Sequence, residues 1–254
     1  MISHPALIRA PRVFCALDTQ DLPAALALAG AMQEAGCGIK LGLEFFCAQG
    51  PQGVRAIRDA YPALALFLDL KFHDIPNTVA QAVEAACAFA PDFMTLHAGG
   101  GIDMMRAAQD STENAASRFG VSVPQLLAVT VLTSLDDAGL RMVGQKTPAA
   151  QQVLNLAERA LESGIRGIVC AGPEIAAMRR EFGTGPILMV PGIRPEGMGA
   201  EMQDQKRVMT PLQAVRDGAT HLVIGRPITK SPDPVQAARA ILSGIEDSIL
   251  PDSP

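Results

Sequence analysis

From residue 13 onward, short and almost uninterrupted apolar runs alternate with longer Ala-rich segments. The runs are VFCALD (13–18), IKLGLEFF (39–46), LALFLDLK (64–71), FMTLHA (93–98), QLLAVTVLTS (125–134), GIVCAG (167–172), PILMVPGI (186–193) and HLVIGRP (221–227). Their near-continuous apolar character predicts strands covered on both faces, the condition of a parallel sheet. Between them, LPAALALAGAMQEAG (22–36), NTVAQAVEAACAF (77–89), PAAQQVLNLAERALESG (148–164) and PLQAVRDGA (211–219) read as amphipathic helices. The tetrapeptides QEAG, LESG and REFG place Gly where a left-handed residue ends a helix. Eight strand–helix units in 254 residues predict a single-domain (β/α)8 barrel over residues 1–254 with short tails. A doubly wound open sheet is the alternative, but VFCALDTQD stands where its Gly-rich fingerprint should follow the first strand. The longest irregular stretch, about 191–209, predicts a lid with Gly192, Gly197 and Gly199 as hinges.

In such a barrel the strand C-termini and the loops after them form the active face. The ionisable and hydroxyl-bearing residues of the runs gather there: Asp18 closes the first, Asp69 and Lys71 the third, His97 nearly ends the fourth, and Thr133 and Ser134 finish the fifth. Asp69 and Lys71, two apart, should point to the same side of a strand, and Asp74 follows at once. Charges in a closed interior are costly unless paired, so a mixed network of Asp18, Lys40, Asp69, Lys71 and Asp74 is expected there. Lys40 begins the second run unless its strand starts nearer Gly36, and a rim ion pair fits it as well as a catalytic role. VPGIRPEG (190–197) and VIGRPI (223–228) follow the seventh and eighth strands, where Gly backbone N–H groups and Arg226 suit a phosphate. HAGGG (97–101) reads better as a tight turn than as an anion cradle, and His97 as a satisfied barrel histidine.

Composition narrows the partners. The net charge is −5, basic residues form no run, and one Tyr with no Trp offers almost no stacking surface, which argues against nucleic acid. Gly, Pro or charge breaks every apolar stretch short of the roughly 18 residues of a membrane span, and the N-terminus lacks a secretory h-region. A cytoplasmic location is expected. The five cysteines show no C-x-x-C pair and the four histidines no helical H-x-x-x-H pair, so no protein-held metal is indicated.

FLDLKFHDIPNTV (67–79), with D-x-K-x-x-D running into I-P-N-T, resembles the signature of the bacterial-type orotidine 5′-phosphate decarboxylase family. Similarity extends through ALD (16–18), KLGLEFF (40–46), VTVLTS (129–134), VPGIRPEG (190–197), DQKRVMTP (204–211) and VIGRPI (223–228), nearly the whole chain. D-x-K-x-x-D alone is shared with Mg²⁺-dependent sugar-phosphate enzymes of the same superfamily; the I-P-N-T continuation and the loop motifs favour the pyrimidine branch. The resemblance implies cofactor-independent decarboxylation of orotidine 5′-phosphate to UMP in pyrimidine biosynthesis, with Lys71 as proton donor to C6 beside Asp69 and Lys40. It further implies a homodimer in which Asp74, Ile75 and Thr78 reach the neighbouring site. Asp18 and Lys40 are similar to the ribose-binding pair, Thr133 and Ser134 to the pyrimidine-edge contacts, and Arg194, Gln203, Gly225 and Arg226 to the phosphate grip. Pro191 is expected as a further substrate contact on that loop.

Overall fold

The computed structural model describes residues 10–195 and 209–246. Eight strands, β1 (Val13–Ala16), β2 (Gly38–Gly42), β3 (Leu66–Phe72), β4 (Phe93–His97), β5 (Gln125–Val129), β6 (Gly167–Val169), β7 (Ile187–Pro191) and β8 (His221–Ile224), form a closed barrel in chain order. Every neighbouring pair is parallel, and β1 pairs with β8 to close the ring. Closure excludes the open doubly wound sheet and confirms the (β/α)8 expectation.

Helices α1 (Leu22–Ala35), α2 (Leu43–Ala60), α3 (Pro76–Cys87), α4 (Ile102–Phe119), α5 (Asp137–Met142), α6 (Ala149–Glu162), α7 (Ile175–Phe182), α8 (Pro211–Arg216), α9 (Arg226–Thr229) and α10 (Pro234–Glu246) fill the connections. Strand residues that face outward, such as Val13, Cys15, Ile39, Leu41, Leu66 and Leu68, pack against them in one continuous apolar layer. Gly36 ends α1 in the left-handed conformation, φ 79°, and its N–H reaches the Gln33 carbonyl, as QEAG predicts.

The strands are shorter than the apolar runs. IKLGLEFF divides: Gly38–Gly42 is strand, whereas Leu43 begins α2, whose Phe45 and Val54 bury one face. Apolar runs shared by a strand and the helix that follows cannot be divided by hydrophobicity alone. The fifth run likewise ends as strand at Val129, leaving Thr133 and Ser134 in the loop beyond.

Inward-facing side chains fill the lower half of the barrel. Phe14, Phe67 and Phe93 meet edge to face, with ring centroids 5.5–6.3 Å apart. Gly38 makes room for this cluster, because a Cβ there would lie 2.5 Å from the Phe14 ring. His221 completes the floor, 5.1 Å from Phe93 and 6.0 Å from Phe14. Below, two arginines tie loops together through backbone carbonyls: Arg58 binds those of Pro62, Leu64, Phe89 and Ala90, and Arg179 those of Gly183, Pro186 and Gly218. These contacts sit on the strand N-terminal side, where a barrel carries stability.

Burial, helped by the nearby Arg12 charge, pushes the His221 imidazole down to about 4. The unfolded chain takes up this proton near pH 6.5, so protonation favours unfolding and stability falls as the pH drops from about 6.5 to about 4. Above that window the residue contributes no pH dependence. Urea midpoints of wild type and His221→Leu should therefore diverge in their pH response. The stability difference between them should shift by about 2 kcal/mol against wild type from pH 7 to pH 5. Parallel profiles would show that His221 titrates normally.

Candidate active site

Above the aromatic floor the inward positions turn from apolar to charged. Lys40 is the central residue of β2, in register with Ala16 on one side and Phe67 on the other. The earlier start of β2 thus resolves its placement: it projects into the barrel. Its ammonium lies 3.4 Å from Asp18 Oδ1 and 3.7 Å from Asp69 Oδ2. Gly42, above it, is kept free of a side chain by this arrangement, since a Cβ would stand 2.8 Å from Lys40 Nζ.

Asp69 and Lys71 do share one site, but regular strand alternation is not the cause. The β3–β4 register runs Leu68↔Met94 and then Phe72↔Leu96, so Asp69, Leu70 and Lys71 together face the single residue Thr95. This is a β-bulge, a device that bends a strand and re-aims its side chains. Lys71 adopts φ 50°, a left-handed conformation that costs an L-residue roughly 1–2 kcal/mol. Its ammonium donates to Asp69 Oδ1 at 2.8 Å, its backbone N–H donates to Thr95 Oγ1 at 2.9 Å, and the Thr95 hydroxyl donates to the same Asp69 oxygen at 2.9 Å.

Asp69 is largely buried, and burial alone would raise its carboxyl. Lys40 and Lys71, with the hydrogen bonds from Lys71 and Thr95, outweigh that effect and hold it below the ordinary carboxylate range. His97, at the end of β4, stacks 5.2 Å from His73. Burial first, then the His73 and Lys71 charges, keep it below its usual value against the pull of Asp69.

A cavity of about 540 Å³ opens over this cluster. Asp18, Lys40, Asp69, Lys71, Thr133, Pro191, Arg194, Gly225 and Arg226 all line it, although they come from six different strand ends. Val129, Val169, Met189 and Ile193 contribute apolar lining, and Thr229 and Lys230 line it along with Arg226. Ser134 is exposed and does not line it. Asp74, Ile75 and Thr78 are also exposed and off its wall, Ile75 at 66%. Gln203 lies outside the described residues, as does most of the expected lid. Its described base is tied: Ile193 bridges Met209, and the Arg194 N–H donates to the Met209 carbonyl at 3.0 Å.

Thr95 is the residue that reading the sequence missed. FMTLH sets Thr95 between apolar Met94 and Leu96, which marks an inward strand position but not the bulge opposite it. Four cysteines are buried and Cys47 is exposed. Burial raises the Cys37 thiol to about 12, the behaviour of a small hydrophobe. Among the described residues, no helix is long and apolar enough to cross a membrane.

The same chain pattern occurs in known proteins. Orotidine 5′-phosphate decarboxylases of Rhodospirillum rubrum and Paramagnetospirillum magneticum are each 46% identical to it. The alignments cover 92% of this chain and 93% of the first relative, and 90% and 96% for the second. A crystal structure of orotidine 5′-phosphate decarboxylase from Lactobacillus acidophilus superposes with a TM-score of 0.79 at 34% identity, covering 93% of this chain and 99% of that one. The model of the orotidine 5′-phosphate decarboxylase / HUMPS family matches residues 11–241, and the chain belongs to that family.

Proposed function

We propose that this chain decarboxylates orotidine 5′-phosphate to UMP and CO₂ without a cofactor, and that Lys71 donates the proton to C6. The observation that carries the reading is the Lys71 ammonium, anchored 2.8 Å from Asp69 on the wall of a cavity otherwise closed below by apolar side chains.

Breaking the bond between C6 and its carboxylate leaves the electron pair in an in-plane orbital of the pyrimidine, where the ring π-system cannot accept it. Stabilisation must then come from fixed charge beside C6. Lys71 supplies that charge, transfers an N–H proton to C6 and recovers one from solvent. Asp69, on the side of the departing carboxylate, adds like-charge repulsion that loss of CO₂ relieves. Lys40, between Asp18 and Asp69, holds the ribose side of the site together with Asp18.

The loops after β7 and β8 take the phosphate through Arg194, Gln203, Gly225 and Arg226, with Pro191 shaping the entrance. Thr133, on the cavity wall, takes the pyrimidine edge, and Ser134, off that wall here, would have to turn inward to join it. Remote phosphate binding would then contribute to the chemical step rather than only to affinity. Asp74, Ile75 and Thr78 serve the neighbouring site of a homodimer, which agrees with their exposure and their absence from the cavity wall in a single chain.

Released CO₂ from orotidine 5′-phosphate in the presence of EDTA tests the activity, and its absence or chelator sensitivity would overturn it in favour of the Mg²⁺-dependent sugar-phosphate branch. Lys71→Ala should lower turnover at least about a thousandfold while still binding UMP, because it removes both the acid and the charge. Near-normal turnover would remove Lys71 from the mechanism. Shared sites make a further prediction. Lys71→Ala and Asp74→Ala protomers, each inactive alone, should regain activity when mixed, with one intact site per heterodimer; confirmed heterodimers without activity would show that Asp74 acts within its own chain.

A further inference from the structure

We propose that Thr95 is a positioning residue for the decarboxylation, its hydroxyl fixing Asp69 and Lys71 relative to each other across the β3 bulge; the inference rests on the decarboxylase reading above. A backbone N–H can only donate and a carboxylate can only accept. The single Thr95 proton therefore goes to Asp69 Oδ1, and the oxygen accepts from Lys71 N, each at 2.9 Å. With the 2.8 Å bond from Lys71 Nζ to the same Oδ1, a closed ring forms through hydroxyl, carboxylate, ammonium and Lys71 backbone.

The bulge makes this hydroxyl necessary. Thr95 alone faces Asp69, Leu70 and Lys71, so the strand ladder cannot satisfy the Lys71 N–H as it would in regular pairing. Thr95 is fully buried and absent from the cavity wall, so any effect on the reaction must pass through Asp69 and Lys71. Lys40 grips the other Asp69 oxygen at 3.7 Å, too loosely to fix its rotation. Loss of the Thr95 hydroxyl would leave Lys71 with a left-handed backbone and no partner for its N–H, and the carboxylate with one anchor fewer.

The test compares Thr95→Val, which keeps the side-chain shape and deletes both hydrogen bonds, with Thr95→Ser, which keeps the hydroxyl. Steady-state CO₂ release should show kcat of Thr95→Val lower by about ten- to a hundredfold, with KM within about threefold of wild type, because the remote phosphate contacts are untouched. Thr95→Ser should return kcat to within about threefold. An unchanged kcat in Thr95→Val, an effect on KM alone, or equal losses in Val and Ser variants would overturn the proposal. If Thr95→Val fails to bind UMP and so has not folded, Thr95→Ala against Thr95→Ser decides by the same criterion. Wild-type protein that releases no CO₂ would instead overturn the decarboxylase reading, and with it this role.

Discussion

The upper barrel depends on keeping one carboxylate ionised where burial disfavours it. Asp69 stands above a floor of Phe14, Phe67 and Phe93 and is reached by two ammonium groups and one hydroxyl. Removing either ammonium group would weaken that compensation in a poorly solvated place, which costs more than an exposed ion pair returns. The neighbouring features follow from that demand. β2 must present Lys40 at mid-strand, Gly42 must leave space above it, and β3 must bulge so that Lys71 returns to the carboxylate.

The two halves of the barrel divide the labour. Toward the strand N-termini the interior is aromatic and the loops are bound by Arg58 and Arg179 through carbonyl oxygens. Toward the C-termini the interior is bordered by loops and mixed, the Asp18–Lys40–Asp69–Lys71 cluster, Arg194 and Arg226 sharing the cavity lining with apolar Val129, Val169 and Met189. A rigid lower half lets the upper half carry strain, such as the left-handed Lys71 backbone, without spreading it.

Much of this was legible in the sequence. Each of the eight strands overlaps one apolar run, six lying wholly inside it and β2 and β3 overrunning by one residue, because a strand buried on both faces needs continuous apolar residues. The charged side chains at the ends of those runs identified the cavity wall, since ionisable groups inside a barrel need a reason to be there. Strand ends were harder to see: Leu43–Phe46 satisfies the hydrophobic demands of β2 and α2 equally, and only backbone pairing separates them. The bulge was invisible because it is a property of register between β3 and β4, and no local pattern in either strand encodes it. Thr95 was missed for the same reason. Its importance lies in what stands across from it.

The aromatic floor has a consequence for traffic. Phe14, Phe67 and Phe93 are at most 2% exposed and stop the barrel from being a tunnel. Among the described residues the cavity is closed toward the strand N-termini, so a small leaving molecule, a larger product and the next substrate must all pass on the strand C-terminal side. Egress and entry are then mutually exclusive events. Whatever slows the larger product at the arginine-lined rim also sets how often the pocket can be refilled.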